Sequence, residues 1–397
     1  MNGQSCIEYP FNEAKGMKNK ITILLLILIA VPCVYAQEEI YPVENQSLFM
    51  IGGSFQTWKT QDYVTPINQF SFPMALIFPI GEQFKMTIIH SPAISWWDQN
   101  HRLSGLSDTW INGTYVFWSE KGMLSMGLGA PTGKTRLTNT EYELSQSWLS
   151  KNVFRYNLPV YGQGLSVKVG TAYAIPLGQQ VIFGFGGQYI YHASYIPVAY
   201  SYTVADEVRI ADEEFNPGDE TNLHFGMDII PHENMKLMFD AIHTQYNRDI
   251  FSGSEVYGSG AKWTIDCGLY YRFRQHFFWT HLQYRQQGKN ELLQGLSIEE
   301  ESLNTNGAQV DTDMMVKIFN YQNGALFALW DGRFYGKNEV DQGGATIVGL
   351  GTGGEFQISD RTKIDFHFKY LVGFLFNQDV KTRVEGLDTR FTMTLAF

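Results

Sequence analysis

The end of the chain constrains the fold more than any other feature. From Gly386 to Phe397, apolar and polar side chains alternate, and the chain closes on a phenylalanine. One face carries Leu387, Phe391, Met393, Leu395 and Phe397, and the other carries Asp388, Arg390, Thr392, Thr394 and Ala396. A period of two predicts a β-strand with one apolar face. A terminal Phe on such a strand is typical of outer-membrane β-barrels, so we predict that Phe397 is the signal for the barrel-assembly machinery.

The beginning of the chain predicts export. Residues 17–20 carry two lysines, residues 21–31 are almost wholly apolar, and Ala36 precedes Gln37. This order is that of a signal peptide cleaved between Ala36 and Gln37, and the apolar run is shorter than the roughly 20 residues of a membrane-spanning helix. We expect residues 1–36 to comprise an upstream extension and a signal peptide, both removed. Residues 37–46 then form a short periplasmic N-terminus, and residues 47–397 form one β-barrel domain.

Period-two alternation recurs along the chain, for example in residues 165–175, 261–273 and 363–372. Seven short turns, near residues 79–82, 119–122, 176–178, 231–234, 274–275, 322–324 and 359–361, alternate with longer polar connections. Those connections lie near residues 59–67, 96–106, 132–161, 192–218, 247–258, 288–309, 336–344 and 375–385. Tight turns at one end and longer loops at the other are typical of outer-membrane barrels of Gram-negative bacteria. We predict an all-β, antiparallel, up-and-down transmembrane barrel of about 16 strands, with 14 as the alternative.

The polar face of these strands carries ionisable side chains. They are Lys168, Asp228, Asp240, Lys262, Asp266, Arg272, Asp313, Lys317, Asp331, Arg333, Lys363, Asp365, His367, Lys369 and Arg390. A cation facing lipid costs about 2–4 kcal/mol near the middle of the bilayer, so we predict that these residues point inward and line a channel. The alternative is mutual neutralisation in a packed interior. Both signs occur in similar number, so we predict no strong ion selectivity.

A segment near Gly129 only superficially matches a phosphate-binding loop. Gly129 and Gly133 enclose three residues, whereas the motif needs four, and Leu128 stands where its first glycine belongs. We also expect no helix at residues 137–140, so a loop after a strand is the better interpretation.

The same region carries a family resemblance. Gly105-Leu106-Ser107-Asp108-Thr109, a strand, a short turn and a second strand lead to Pro131-Thr132-Gly133. This order resembles the Gly-x-Gly-Asp and Pro-Thr-Gly pattern of outer-membrane porins associated with phenol meta-cleavage degradation, with Ser107 in place of a Gly. The resemblance covers about thirty residues and implies a barrel associated with uptake of small, often aromatic or apolar, compounds.

Other functional classes find little support in the sequence. A net charge of −11 argues against nucleic acid as a partner. The nine histidines show no metal-ligand spacing, and no Ser, His and Asp trio stands out, so we predict no enzyme activity, catalytic residue, metal site or cofactor. Acidic residues concentrate in residues 205–220 and 299–301. A solvated loop is the favoured interpretation over a divalent-cation site, because no EF-hand spacing is present.

Two functions remain open from the sequence. The first is a passive channel or facilitated transporter for small solutes, including aromatic or apolar ones. The second is a non-transport barrel that serves as an accessory or scaffold for a surface or secretion assembly. Outer-membrane lipid and lipopolysaccharide are the expected surroundings in either case.

Overall fold

A computed structural model describes residues 46–62, 65–118, 121–197, 200–204, 207–211, 213–295 and 297–397. The predicted signal peptide, its cleavage between Ala36 and Gln37, and nearly all of the predicted N-terminal segment 37–46 lie outside the described residues. Within them, strands dominate, as the alternating pattern predicts.

Twenty-six strands and one α-helix lie within the described residues. The strands are β1 Leu48–Thr60, β2 Ile67–Ser71, β3 Met74–Ile80, β4 Phe84–His90, β5 Pro92–Trp96, β6 Arg102–Leu106, β7 Thr109–Phe117, β8 Gly122–Ala130, β9 Ser166–Leu177, β10 Val181–His192, β11 Tyr200–Val204, β12 Glu207–Ala211, β13 Phe215–Asn216, β14 Glu220–His232, β15 Met235–Tyr246, β16 Arg248–Phe251, β17 Ser254–Gly258, β18 Lys262–Phe273, β19 His276–Gln287, β20 Glu291–Gln294, β21 Ser297–Glu300, β22 Gln309–Tyr321, β23 Gly324–Tyr335, β24 Gly344–Ser359, β25 Thr362–Asn377 and β26 Val380–Ala396. The helix is α1, Asn139–Leu144; a π-helical turn, Ser145–Leu149, and a 3₁₀ turn, Asn152–Phe154, follow it.

Nineteen of these strands form one closed antiparallel sheet, the barrel wall. The wall has sixteen strand positions, because three of them are each occupied by two short strands. The first strand pairs with the last, from Leu48 opposite Ala396 to Thr60 opposite Val384, and Phe397 bonds through its N–H to the carbonyl of Ser47 at 3.0 Å. A closed barrel leaves no unpaired sheet edge. The predicted all-β barrel and its sixteen strands are therefore confirmed, and the alternative of fourteen is wrong.

Three wall positions consist of two pieces each: β2 with β3, β4 with β5, and β6 with β7. The interruptions follow one line across the wall. The N–H of Gly52 donates to Pro73 O at 2.9 Å, that of Phe72 to Pro92 O at 2.9 Å, and that of Ser107 to Ser91 O at 3.0 Å. Proline lacks a donor and interrupts a ladder, but these bonds keep the wall continuous across the breaks.

The two ends of the barrel differ as predicted. The strand ends that flank the seven predicted short turns lie at one end, here called the short-turn end, and left-handed residues such as Gly81, Gly178 and Arg274 close three of these turns. The other end, called the long-loop end, carries short hairpins built from β16, β17, β20 and β21. The polar connection expected over residues 375–385 is wrong: β25 and β26 extend to Asn377 and from Val380, so only two residues join them.

The outer face of the wall is apolar and exposed. Large side chains of adjacent strands point out from it, and they include Val169, Phe185, Phe225, Phe239, Ile265 and Leu282. Exposed apolar area on this scale needs an apolar surrounding. No helix in the described part of the chain is long and apolar enough to cross a membrane.

Residues 131–165, here called the inward segment, depart from the expectation of an ordinary polar loop. They connect β8 to β9 at the long-loop end, yet Leu144, Leu149 and Phe154 are wholly buried. Thr138 caps helix α1 in a capping box with Glu141, so the expectation of no helix at residues 137–140 is also wrong. The segment forms the main hydrophobic cluster with Trp58, Ile67 and Leu103 of the wall.

Candidate functional site

The predicted channel-lining residues share one face of the wall. Residues directly opposite in an antiparallel pair lie on the same side, and the pairs Asp240–Asp266, Asp313–Asp331 and His367–Arg390 connect them. The register places the complete predicted set on this face: Lys168, Asp228, Asp240, Lys262, Asp266, Arg272, Asp313, Lys317, Asp331, Arg333, Lys363, Asp365, His367, Lys369 and Arg390. The inward segment contacts the same face, so we call it the lumenal face.

The inward segment is clamped where it leaves and re-enters the wall. Asp108, in the break between β6 and β7, accepts hydrogen bonds from the N–H of Gly133 at 2.9 Å and of Gln163 at 2.7 Å. The backbones of Gly133 and Gly162 touch, since a Cβ on either would lie 2.8 Å from the other. The residues that carry the family resemblance, Asp108 and Pro131-Thr132-Gly133, therefore meet in space and fix both ends of the segment.

Two glutamines of the wall hold the middle of the segment. Gln56 and Gln69 face each other across β1 and β2, and each is 1% exposed. Gln56 Nε2 donates to Arg155 O at 2.9 Å and its Oε1 accepts from Asn157 N at 2.8 Å. Gln69 makes the same pair of bonds with Leu158, both at 2.9 Å. Each buried amide is satisfied in both directions, so these side chains specify the path of the segment.

Aromatic packing completes the attachment. The ring of Phe154 lies 5.2 Å from that of Trp58 and 5.8 Å from that of Trp148. The Tyr161 hydroxyl lies 2.8 Å from Ser95 Oγ, and burial raises the pKa of Tyr161 to about 12. Contacts of this quality indicate a fixed position inside the barrel.

Arg155 of the inward segment faces an acidic part of the wall. Arg155 lies in the left-handed region, with φ of 47°. Its guanidinium contacts Asp311 at 2.9 Å, Asp313 at 3.2 Å and Asp331 at 3.6 Å.

Three cations of the wall share the carboxylates that Arg155 contacts. Arg285 pairs with Asp311, Arg333 pairs with Asp331 at 2.9 Å, and Lys369 pairs with Asp331 at 3.2 Å. We call these seven residues the tip network; the side chains of Asp311, Asp331 and Arg333 are almost wholly buried.

These contacts all lie on one side of the barrel, formed by β19, β22 to β26 and β1 to β7. The lumenal face of the opposite side carries small residues, including Gly170 opposite Gln188, Ala172 opposite Gly186, and Gly184 opposite Gly226. Asp240 of that side is exposed. A barrel of sixteen strands is wide enough for an aqueous channel, so the opposite side is the candidate passage.

His101 joins the loop between β5 and β6 to helix α1. Its Nδ1 lies 2.9 Å from Asp98 Oδ1, and its Nε2 lies 3.4 Å from Glu143 Oε2. The Asp98 carboxylate is the main cause that raises the pKa of His101 above its ordinary 6.5, and Glu143 adds to it. Because the pKa of His101 is raised, its bridge contributes its full stability below the ordinary histidine pKa of about 6.5, as long as Asp98 is ionised, and this contribution is lost as the pH rises through the pKa of the folded state.

We expect a histidine NMR titration to give His101 a midpoint above about 6.5, the value of an unperturbed histidine. The variant Asp98→Asn should lower the midpoint clearly, and Glu143→Gln should lower it less. A midpoint at or below the unperturbed value in the wild-type protein would contradict the bridge.

The described residues contain no group of three or more His, Cys, Asp or Glu that could hold a metal ion. Parts of the acidic run 205–220 fall outside the described side chains. Asp219 accepts from the Tyr189 hydroxyl at 2.5 Å and from His192 N at 3.0 Å, and Glu301 accepts from Asn290 N and Thr305 N at 3.0 Å each. These two carboxylates are therefore engaged in shaping loops.

The sequence reasoning missed the residues that position the inward segment, namely Gln56, Gln69, Asp311, Arg155 and Arg285. One signal was available. Residues 142–161 contain Leu144, Trp148, Leu149 and Phe154, which is more apolar area than an exposed loop usually carries.

Comparison with known proteins gives only structural likeness. No protein-family model matches the sequence, and a search of curated proteins gives no match. Among solved structures, the mutant monoaromatic hydrocarbon channel TodX is similar at 7% identity and a TM-score of 0.46, covering 90% of this chain and 91% of its own. The monoaromatic hydrocarbon channel CymD is similar at 13% identity and a TM-score of 0.43, and the match covers 89% of each chain. An outer-membrane channel from Pseudomonas putida F1 is similar at 9% identity and a TM-score of 0.36, and the match covers 92% of this chain and all of that channel. At these values the likeness carries no argument about function.

Proposed function

We propose that this protein is an outer-membrane channel that passes small solutes, including aromatic or apolar ones, by diffusion or facilitated transport. The observation that carries the proposal is a closed sixteen-strand barrel with an apolar outer face, in which, among the described residues, the inward segment packs against one side of the lumenal face. Ionisable residues on the lumenal face supply a wetted wall, and the long-loop end faces the lipopolysaccharide outside the cell.

Single-channel recording in planar bilayers tests the proposal. Purified, heat-modifiable barrel should give discrete conductance steps in KCl, and liposomes that contain it should swell in small solutes faster than in larger ones. The alternative, a scaffold barrel that binds a partner through its loops, gives no steps and no swelling. Folded protein that gives neither conductance steps nor liposome swelling would contradict the channel proposal.

Two terminal features belong to the same proposal. Phe397 is expected to be read by the barrel-assembly machinery, and the mature chain is expected to begin at Gln37. N-terminal sequencing of the protein from outer membranes tests the cleavage, and the membrane level of Phe397→Ser tests the signal. A start elsewhere, or an undiminished level, would contradict the corresponding expectation.

A further inference from the structure

The lumenal face has a second feature, closer to the short-turn end than the carboxylates that contact Arg155. Tyr270, Phe277, Trp279, Met315, Phe327 and Leu329 form a patch across β18, β19, β22 and β23, here called the aromatic patch. Cross-strand pairs set Tyr270 opposite Trp279, Trp279 opposite Met315, and Met315 opposite Leu329. The patch shares its face with Asp313 and Asp331, which contact Arg155, and so it lies inside the barrel.

The rings of the patch form a continuous surface. The centroid of Phe277 lies 5.7 Å from that of Tyr270 and 5.6 Å from that of Phe327. Phe327 and Leu329 are 4% and 6% exposed, whereas Tyr270, Phe277 and Trp279 are only partly covered. A wetted lumen does not require aromatic residues, so their concentration on this part of the wall indicates a surface for an apolar, ring-shaped solute.

Two cations alternate with the rings. Arg272 lies opposite Phe277, and Lys317 lies opposite Phe327. Lys317 Nζ is 5.4 Å from the Phe277 centroid, where a cation is attracted to the ring face. Arg272 Nε donates to the Tyr270 hydroxyl at 3.3 Å.

The charges around the patch leave Arg272 available. Lys236 lies opposite Tyr270 and pairs with Asp228 at 3.0 Å, and Lys317 lies 3.7 Å from Glu355. Among the described residues, Arg272 makes no ion pair with a carboxylate within 4.0 Å. A guanidinium beside aromatic faces recognises a planar carboxylate by paired hydrogen bonds.

We propose that the aromatic patch and Arg272 bind aromatic carboxylates, with the ring against Phe277 and Trp279 and the carboxylate on Arg272. This inference rests on the proposed channel function and narrows its solute class. An uncharged arene leaves Arg272 without a role, and a non-aromatic acid leaves the ring surface unused.

Equilibrium dialysis of the purified barrel in detergent tests the binding without requiring an open channel. Benzoate should bind more tightly than cyclohexanecarboxylate, which lacks the aromatic face, and than benzyl alcohol, which lacks the charge. Arg272→Gln should weaken benzoate binding roughly tenfold, as expected for loss of a hydrogen bond to a charged group. Lys262→Gln, which removes a lumenal cation at the other end of the same strand, should leave the binding unchanged.

Two further variants separate the roles of ring and charge. Trp279→Leu should abolish the preference of benzoate over cyclohexanecarboxylate, and Arg272→Lys should retain part of the affinity that Arg272→Gln loses. Equal binding of the three probes by the wild-type protein, or equal losses in Arg272→Gln and Lys262→Gln, would overturn the site. Conductance in KCl without these binding differences would reject this inference and leave the channel proposal standing.

Discussion

Replacing residues 139–157 with a flexible Gly-Ser linker should raise the KCl conductance of the barrel roughly twofold or more, since an empty barrel of sixteen strands encloses a wide aqueous channel. The replaced residues form no rung of the barrel wall, and Asp108, Gly133 and Gln163 remain to hold the ends of the linker. The barrel should therefore still close. Its heat-modifiable migration in gels and its strand content by circular dichroism give the control for folding.

A single substitution in the same segment refines this expectation. Arg155 contacts three wall carboxylates, so Arg155→Gln should increase the preference for cations, measured as reversal potential in a KCl gradient. Lys151→Gln removes the same charge from the same segment but from a residue that lies over the Trp148 ring, and it should change the preference little. Unchanged conductance in the linker variant, or equal shifts in the two point variants, would show that the segment does not define the passage.

The sequence predicts the wall well because the alternation within each wall strand shows which of its side chains face lipid and which face the lumen. Alternation along β25 separates His367 and Lys369 from Phe368 without knowledge of any other strand, and side chains on one strand necessarily alternate between two faces. Tight turns are likewise predicted from a few neighbouring residues, for example at Gly178, which has a positive φ. The strand number follows from those turns.

The inward segment could not be predicted in the same way, because its position depends on residues far apart in the chain. Gln56 and Gln69 meet Arg155 and Leu158 across about ninety to a hundred positions, and a single Gln on a strand gives no sign of such a partner. The alternation also gave no sign that Arg155, from a loop, joins the wall carboxylates. The loop predicted at residues 375–385 is wrong for a simpler reason: the polar residues Lys381, Thr382 and Arg383 continue β26 beyond the apolar band.

Aspartate substitutions at two adjacent positions of β25 should have opposite effects on folding, and together they test which face of the strand contacts lipid. Phe368 is 46% exposed on the outer face, and an aspartate there would place a carboxylate in hydrocarbon in addition to removing a ring. The penalty for Asp is smaller than the about 2–4 kcal/mol of a cation at mid-bilayer, yet Phe368→Asp should still lower the yield of heat-modifiable barrel. His367 lies opposite Arg390 on the lumenal face, so His367→Asp should fold normally, gain a favourable charge neighbour and increase cation preference.

A strand displaced by one residue would exchange these two outcomes, because every side chain changes face. Normal folding of both variants, with neither changing permeability, would rule out the assignment of the lumenal face at this strand.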